Sequence, residues 1–189
     1  MQDPELFVAK FPKLAEVVGR LNANNIDWMI SGSGCLWFYG NKRLPNDVDF
    51  FLRDEQHDVA DKLFGIESFT YTSPLENVRN SNPFGDHDMQ LTSHLRISVE
   101  GRTYSMSMGD AVFAQRKRVE SSIGTLWLIP PEDALLIKAL LQRGPDMGKQ
   151  DLDDIKSFLA IYAPNMDYLQ KHIAAIGAEE RVKGIFALS

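Results

Sequence analysis

The segment Asp47-Val48-Asp49-Phe50-Phe51-Leu52 constrains the fold of this chain more than any other. Successive side chains on a strand leave on opposite faces, so Asp47 and Asp49 project together while Val48 and Phe50 enter the body of the protein. Two adjacent carboxylates repel each other, which costs folding energy unless a cation bridges them. Oxygen ligands of this kind suit Mg²⁺, which takes few carboxylates and completes its shell with waters and substrate phosphates. A short interval upstream, Ser31-Gly32-Ser33-Gly34 follows an apolar strand at residues 26–30. A turn with so little side-chain bulk lets main-chain amides approach a phosphate closely. The two features together imply a place for a nucleoside triphosphate and its metal.

The 189 residues favour one domain, or one domain with a small helical appendage. A single cysteine, Cys35, excludes an internal disulfide and a multi-cysteine zinc site, and it fits a reducing cytoplasm. The four histidines, His57, His87, His94 and His172, show no metal-ligand spacing. No run reaches the length of a membrane span, and the first residues lack the layout of a signal peptide. A net charge of −6 argues against a protein that coats nucleic acid, while leaving room for a local basic patch.

Helical spacing of Leu6, Phe7, Phe11, Leu14, Val17, Val18 and Leu21 predicts one amphipathic helix over residues 4–24. A strand at 26–30, the Ser31–Gly34 turn and an apolar helix at 35–39, stopped by Gly40, come next. After the strand at 47–52, Asp54 is expected to cap a helix running to residue 64, closed by Gly65. Residues 69–72 read as a strand and 73–85, rich in Ser, Asn and Pro, as loop. Strands are expected at 89–92, 95–99 and 102–106, with Glu100-Gly101 as the tight turn between the last two. Residues 111–119 read as helix and 125–129 as a final strand. Beyond Pro130-Pro131 the pattern is helical throughout, at 132–142, 151–162, 166–176 and 179–186. The expected architecture is α/β (α+β): a short mixed sheet flanked by helices over residues 1–130, followed by a helical region over 131–189.

These residues resemble the nucleotidyltransferases of the DNA polymerase β superfamily, in their small toxin-like and aminoglycoside-modifying forms. The resemblance rests first on Gly32-Ser33 followed by Asp47-Val48-Asp49, with Gly40 and Arg43 between them. It rests also on Ile129-Pro130-Pro131 leading into Leu135-Leu136-Ile137-Lys138, and on Arg143 before Asp151-Leu152-Asp153-Asp154. It implies that Gly32 and Ser33 hold a triphosphate, with Arg43 and Lys138 as further nucleotide-binding residues. Asp47 and Asp49 would carry two Mg²⁺ ions, one bridging the phosphates and one activating an acceptor hydroxyl for in-line attack on the α-phosphorus. The acceptor, whether small molecule, RNA or protein, is not encoded in these motifs. Active relatives carry a third carboxylate on a later strand. Residues 102–108 contain no acid, so Asp88, ahead of Met89-Gln90-Leu91, is the best replacement as a third catalytic acid; Glu100 and Asp110 flank the hairpin.

Plainer readings stand beside these. Asp47 and Asp49 also fit the solvent face of an edge strand, and Arg43 a solvated loop. Lys138, inside an apolar helix, also fits a side chain that snorkels to the surface. Asp151 and Asp154 fit the cap and first-turn charge of their helix. Trp28, Trp37 and Phe38 read as core, and Cys35 as a buried small residue. The basic run Arg116-Lys117-Arg118 fits a solvated face or a guide for a phosphate-bearing acceptor. Without a third acid, the same fold would serve as a binding module for a nucleotide or a protein partner. A toxin-like role in a two-component defence system is a further alternative.

Overall fold

Pro12 divides the first helical stretch in two. In the computed structural model, which describes residues 1–71, 74–75, 78–85, 87–106 and 108–186, α1 spans Pro4–Lys10 and α2 spans Leu14–Ala23. Proline pushes the residue before it out of helical geometry, and Phe11 sits at φ −115°, ψ 78°. The break turns α1 back over the core, where the Phe7 ring packs 5.0, 5.6 and 4.8 Å from those of Phe11, Trp37 and Phe38.

Next come β1 (Trp28–Ile30), α3 (Gly32–Phe38) and β2 (Val48–Leu52). The expected separate turn at Ser31–Gly34 is thus the first turn of α3, with Ser31 at its N-cap. A 3₁₀ turn at Asp54–Gln56 leads into α4 (His57–Phe64), which Gly65 ends in the left-handed conformation at φ 67°. Asp54 does not cap this helix. Its Oδ1 instead accepts a hydrogen bond from His94 N at 2.6 Å and steadies a distant turn.

The strands β3 (Phe69–Thr70), β4 (Arg79–Ser81) and β5 (Met89–Ser93) follow. β4 lies inside the expected loop: its polar sequence hides a strand whose Asn80 and Ser81 are buried by pairing with β5. Of the expected strand and loop around it, Thr72, Ser73, Glu76 and Asn77 lie outside the described residues. β6 (Arg96–Val99) and β7 (Arg102–Ser105) form the expected hairpin. Glu100 and Gly101 both take positive φ, 51° and 75°, as a tight two-residue hairpin turn requires.

The helix expected at 111–119 is only α5 (Asp110–Ala114), because Lys117–Ser121 is a strand, β8, paired with β9 (Gly124–Leu128). Val119 opposite Leu126 gives this hairpin its buried contact, while Lys117 and Arg118 face solvent. Four helices close the chain: α6 (Pro131–Leu141), α7 (Asp151–Leu159), α8 (Met166–Ala175) and α9 (Glu179–Val182). α9 is half the length its pattern suggested.

Seven strands form one mixed sheet in the order β3-β4-β5-β2-β1-β9-β8, with the β6-β7 hairpin separate. The expected class, a mixed sheet flanked by helices, holds. α6 is buried along its whole length and packs on α3, α7, α8 and α9. It is apolar except for Glu132, Asp133 and Lys138. Glu132 Oε1 accepts from Asn165 N at 2.8 Å, and Asp133 accepts from Tyr168 Oη at 2.7 Å and pairs with His172 Nδ1 at 2.8 Å, so two buried acids dock α8. Trp28, Trp37, Phe38 and Cys35 are core, the Cys35 thiol donating to Ile129 O at 3.2 Å. No described helix is long and apolar enough to cross a membrane.

Phe7 is fully buried and joins α1 to α3. Phe7→Ala is expected to destabilise the protein by about 3–5 kcal/mol, measured by urea unfolding.

Candidate active site

The register of the central strands fixes where the start of α3 meets the paired acids. β1 and β2 are antiparallel with Ile30 opposite Phe50, and Ser31 N donates to Asp49 O at 2.8 Å. Gly32 then turns at φ 56°, where a Cβ would lie only 2.9 Å from Asp49 Oδ2. Main chain therefore lies directly against a carboxylate, in an approach open only to glycine. The first N–H groups of a helix have no partner within it, so the start of α3 leaves main-chain donors beside the acids.

A cavity of about 670 Å³ opens here, with Gly32, Ser33, Asp47 and Asp49 in its wall. Burial, reinforced by the neighbouring Asp47 charge, pushes the Asp49 carboxyl up to about 6. The cations Lys149, Arg143 and Lys138 pull it the other way. A carboxylate pair in this state fits a divalent cation. Among the described residues no cluster of three or more His, Cys, Asp or Glu side chains is placed to hold a metal. The donor set suits an ion that takes two protein oxygens and finds the rest in water and phosphate, as Mg²⁺ does.

Asp88 stands at the head of β5, beside Asp47 in the parallel β2–β5 pairing, where its carbonyl accepts from Val48 N at 2.8 Å. It is exposed and is not part of the cavity wall. The side chain in register with Asp49 on β5 is Gln90, which does line the cavity and donates to Tyr71 Oη at 3.0 Å.

Arg43 and Lys138 reach the cavity wall, but both are held by acids of α7. Lys138 is 5% exposed, so it does not snorkel; its Nζ donates to Asp151 Oδ1 at 3.0 Å and Asp154 Oδ2 at 2.9 Å. Arg43 Nε donates to Asp154 Oδ1 at 3.2 Å, and Arg43 Nη2 reaches both Asp154 and Ser33 Oγ. Ser33 Oγ in turn donates to Asp154 Oδ2 at 3.3 Å. Arg143 completes the chain of charges, donating through Nε to Asp151 Oδ2 at 2.8 Å. Asp151 and Asp154 are therefore not caps: Gln150 holds the N-cap position of α7, and the two acids are buried ion-pair partners. The cations hold both carboxyls below the usual range against the opposing effect of burial.

Sequence reasoning passed over Arg143 and Lys149 as cavity residues and over Asp154 as a hub. One signal was present. A lysine inside an otherwise apolar helix needs a partner, and two acids three residues apart share a helix face that can supply it.

Lys138→Met would leave Asp151 and Asp154 buried with only the two arginines. A loss of roughly 3 kcal/mol is expected, the lower end for breaking a buried pair, and chemical denaturation would measure it. A second expectation concerns pH. An unfolded aspartate titrates near 3.9, so ionising Asp49 with its value of about 6 opposes folding. That cost is absent below about pH 4, grows as pH rises and is complete above about pH 6, on the order of 3 kcal/mol. His57, buried and lowered to about 4, acts oppositely: stability is lost as pH falls from about 6.5 toward 4. Its effect is common to both proteins and cancels in a difference. In EDTA, Asp49→Asn is expected to gain stability over the parent as pH rises from about 4 to 7, by on the order of 3 kcal/mol. A difference flat with pH would contradict this.

Residues 10–73 match the family model described as a nucleotidyl transferase of unknown function (DUF2204), a segment holding both Gly32-Ser33 and Asp47/Asp49. No curated protein matches the chain in sequence. Among solved structures, a candidate nucleotidyltransferase from Thermotoga maritima superposes with a TM-score of 0.56 at 14% identity, over 85% of this chain and 96% of its own. The lincosamide antibiotic adenylyltransferase LnuA, bound to lincomycin, aligns with a TM-score of 0.49 at 15% identity, over 80% of this chain and 98% of its own. The antibiotic-resistance protein ANT(2″)-Ia, with adenylyl-2″-tobramycin, gives a TM-score of 0.49 at 10% identity, over 87% and 94%. The chain thus has a nucleotidyltransferase fold, as its resemblance to the DNA polymerase β superfamily implies.

Proposed function

We propose that this protein is a Mg²⁺-dependent nucleotidyltransferase that moves a nucleoside monophosphate from a nucleoside triphosphate to a hydroxyl acceptor. The observation that carries this reading is the approach of the Gly32 main chain to the Asp49 carboxylate inside a cavity also lined by Arg43, Lys138, Arg143 and Lys149. Such a wall offers oxygens for a metal, amides for phosphate and positive charge for the departing pyrophosphate. Asp47 and Asp49 would hold the metal, whose charge would offset that developing on the phosphates in the transition state. Gly32 and Ser33 would meet the phosphates through main-chain N–H groups, since the Ser33 hydroxyl already donates to Asp154. Arg43, tied to Asp154 and Ser33, would keep that turn in shape while presenting its half-exposed guanidinium to the nucleotide.

A second reading is favoured by one observation: among the described residues no third acid joins Asp47 and Asp49. On that reading the cavity binds a nucleotide without turning it over. The two are separated by incubating the protein with each α-³²P-labelled triphosphate, Mg²⁺ and a cell extract, then resolving small-molecule, RNA and protein fractions. Transfer predicts a labelled acceptor in one fraction. Asp47→Ala and Asp49→Ala should each lower the rate at least about 100-fold, as loss of several kcal/mol of transition-state stabilisation requires. Asp88→Ala should lower it too if the head of β5 assists the acceptor. Nucleotide binding with no label above the double aspartate variant would establish the binding module instead.

A further inference from the structure

We propose that Lys149 is the cation that receives the anionic tail of the triphosphate, an assignment that rests on the nucleotidyltransferase reading. The other lysine and arginine side chains that line the cavity are already paired with buried acids. Asp151 and Asp154 neutralise Lys138, Asp154 holds Arg43, and Asp151 holds Arg143. To recruit Lys138, a phosphate would have to draw it from two acids that are 1% and 4% exposed. Lys149 is exposed, lines the same cavity, and makes no ion pair among the described residues. Asp47 and Asp49 line that cavity too, and the Lys149 charge favours the ionised form of Asp49.

Lys149 is not a loose surface lysine, because the loop that carries it is built to present it. The Gly144 carbonyl accepts from Met147 N and from Lys149 N, both at 3.0 Å, and Gly148 N donates to Pro145 O at 3.0 Å. Gly148 turns the chain at φ 66°. Buried Asp151 ties the two ends of the loop together, accepting from Arg143 N at 3.1 Å while its own N donates to Arg143 O at 3.0 Å. The acid that neutralises Lys138 thus also fixes the turn that leaves Lys149 uncompensated. A compact ammonium with three donors suits a polyphosphate, whose oxygens lie at several angles, and binding it there breaks no existing ion pair.

The test is calorimetry on the full chain with two probes: inorganic tripolyphosphate, and each nucleoside triphosphate with Mg²⁺. Lys149→Met is expected to weaken both about tenfold or more with an unchanged melting temperature, and Lys149→Arg to restore binding to within about threefold. Lys138→Met, by contrast, should lower the melting temperature. Binding of both probes by Lys149→Met within twofold of the parent overturns the assignment. If the parent binds tripolyphosphate in a Lys149-dependent way but no nucleotide, the anion site stands and the nucleotidyltransferase reading falls. If the parent binds neither, both fall.

Discussion

The buried charge network around Asp151 and Asp154 is the constraint on which the rest of this structure turns. An unpaired charge in a protein interior costs several kcal/mol, so each member tolerates only arrangements in which its partners stay within reach. Here one lysine of α6, two arginines and the Ser33 hydroxyl converge on two carboxylates of one helix. The glycine turn, the loop carrying Arg43, and the end of α6 are thereby held to α7 at once. Hydrophobic burial alone would let those elements slide, since apolar contact has no direction. The acids supply direction, and the cavity keeps its shape as a result.

A tension follows from the same economy of charge. The Asp47 charge repels Asp49, whose ionisation burial already disfavours. Other acids in the fold relieve burial with a cation beside them, as Asp151 and Asp154 do, or with several donors, as Glu132 and Asp133 do. A site that keeps unrelieved charge at the expense of stability is the usual mark of function rather than architecture.

Much of this was legible in the residues, and the failures have physical causes. The Asp-x-Asp strand, the Glu100-Gly101 turn and the four C-terminal helices follow from period and turn chemistry that act within a few residues. The split at Pro12 was legible too, yet the helical spacing of Phe7, Phe11 and Leu14 concealed it. β4 escaped because Arg79-Asn80-Ser81 has no strand propensity of its own; its state comes from β5. Likewise Lys117–Ser121 is a strand because β9 lies beside it. In the site, Gly32, Ser33, Asp47 and Asp49 come together as their spacing suggested. Lys138 reaches the cavity wall as its position suggested, but its pairing with Asp151 and Asp154 was hidden, since those partners lie a loop away on α7, beyond the reach of local pattern. Lys149 carries no local signal at all: its relation to Asp49 exists only once the chain is folded.

The parallel pairing of Ile30 with Leu128 sets the order in which this molecule can be assembled. β1 is an interior strand of the sheet, yet one of its two neighbours comes from almost a hundred residues further along. During synthesis, β2 can join β1 early, but the opposite flank of β1 stays open until β9 has left the ribosome. Through that interval Trp28, Met29 and Ile30 form an apolar border with unpaired main-chain groups. The nascent protein is thus most exposed to aggregation and to chaperone capture before the hairpin of β8 and β9 arrives to seal it.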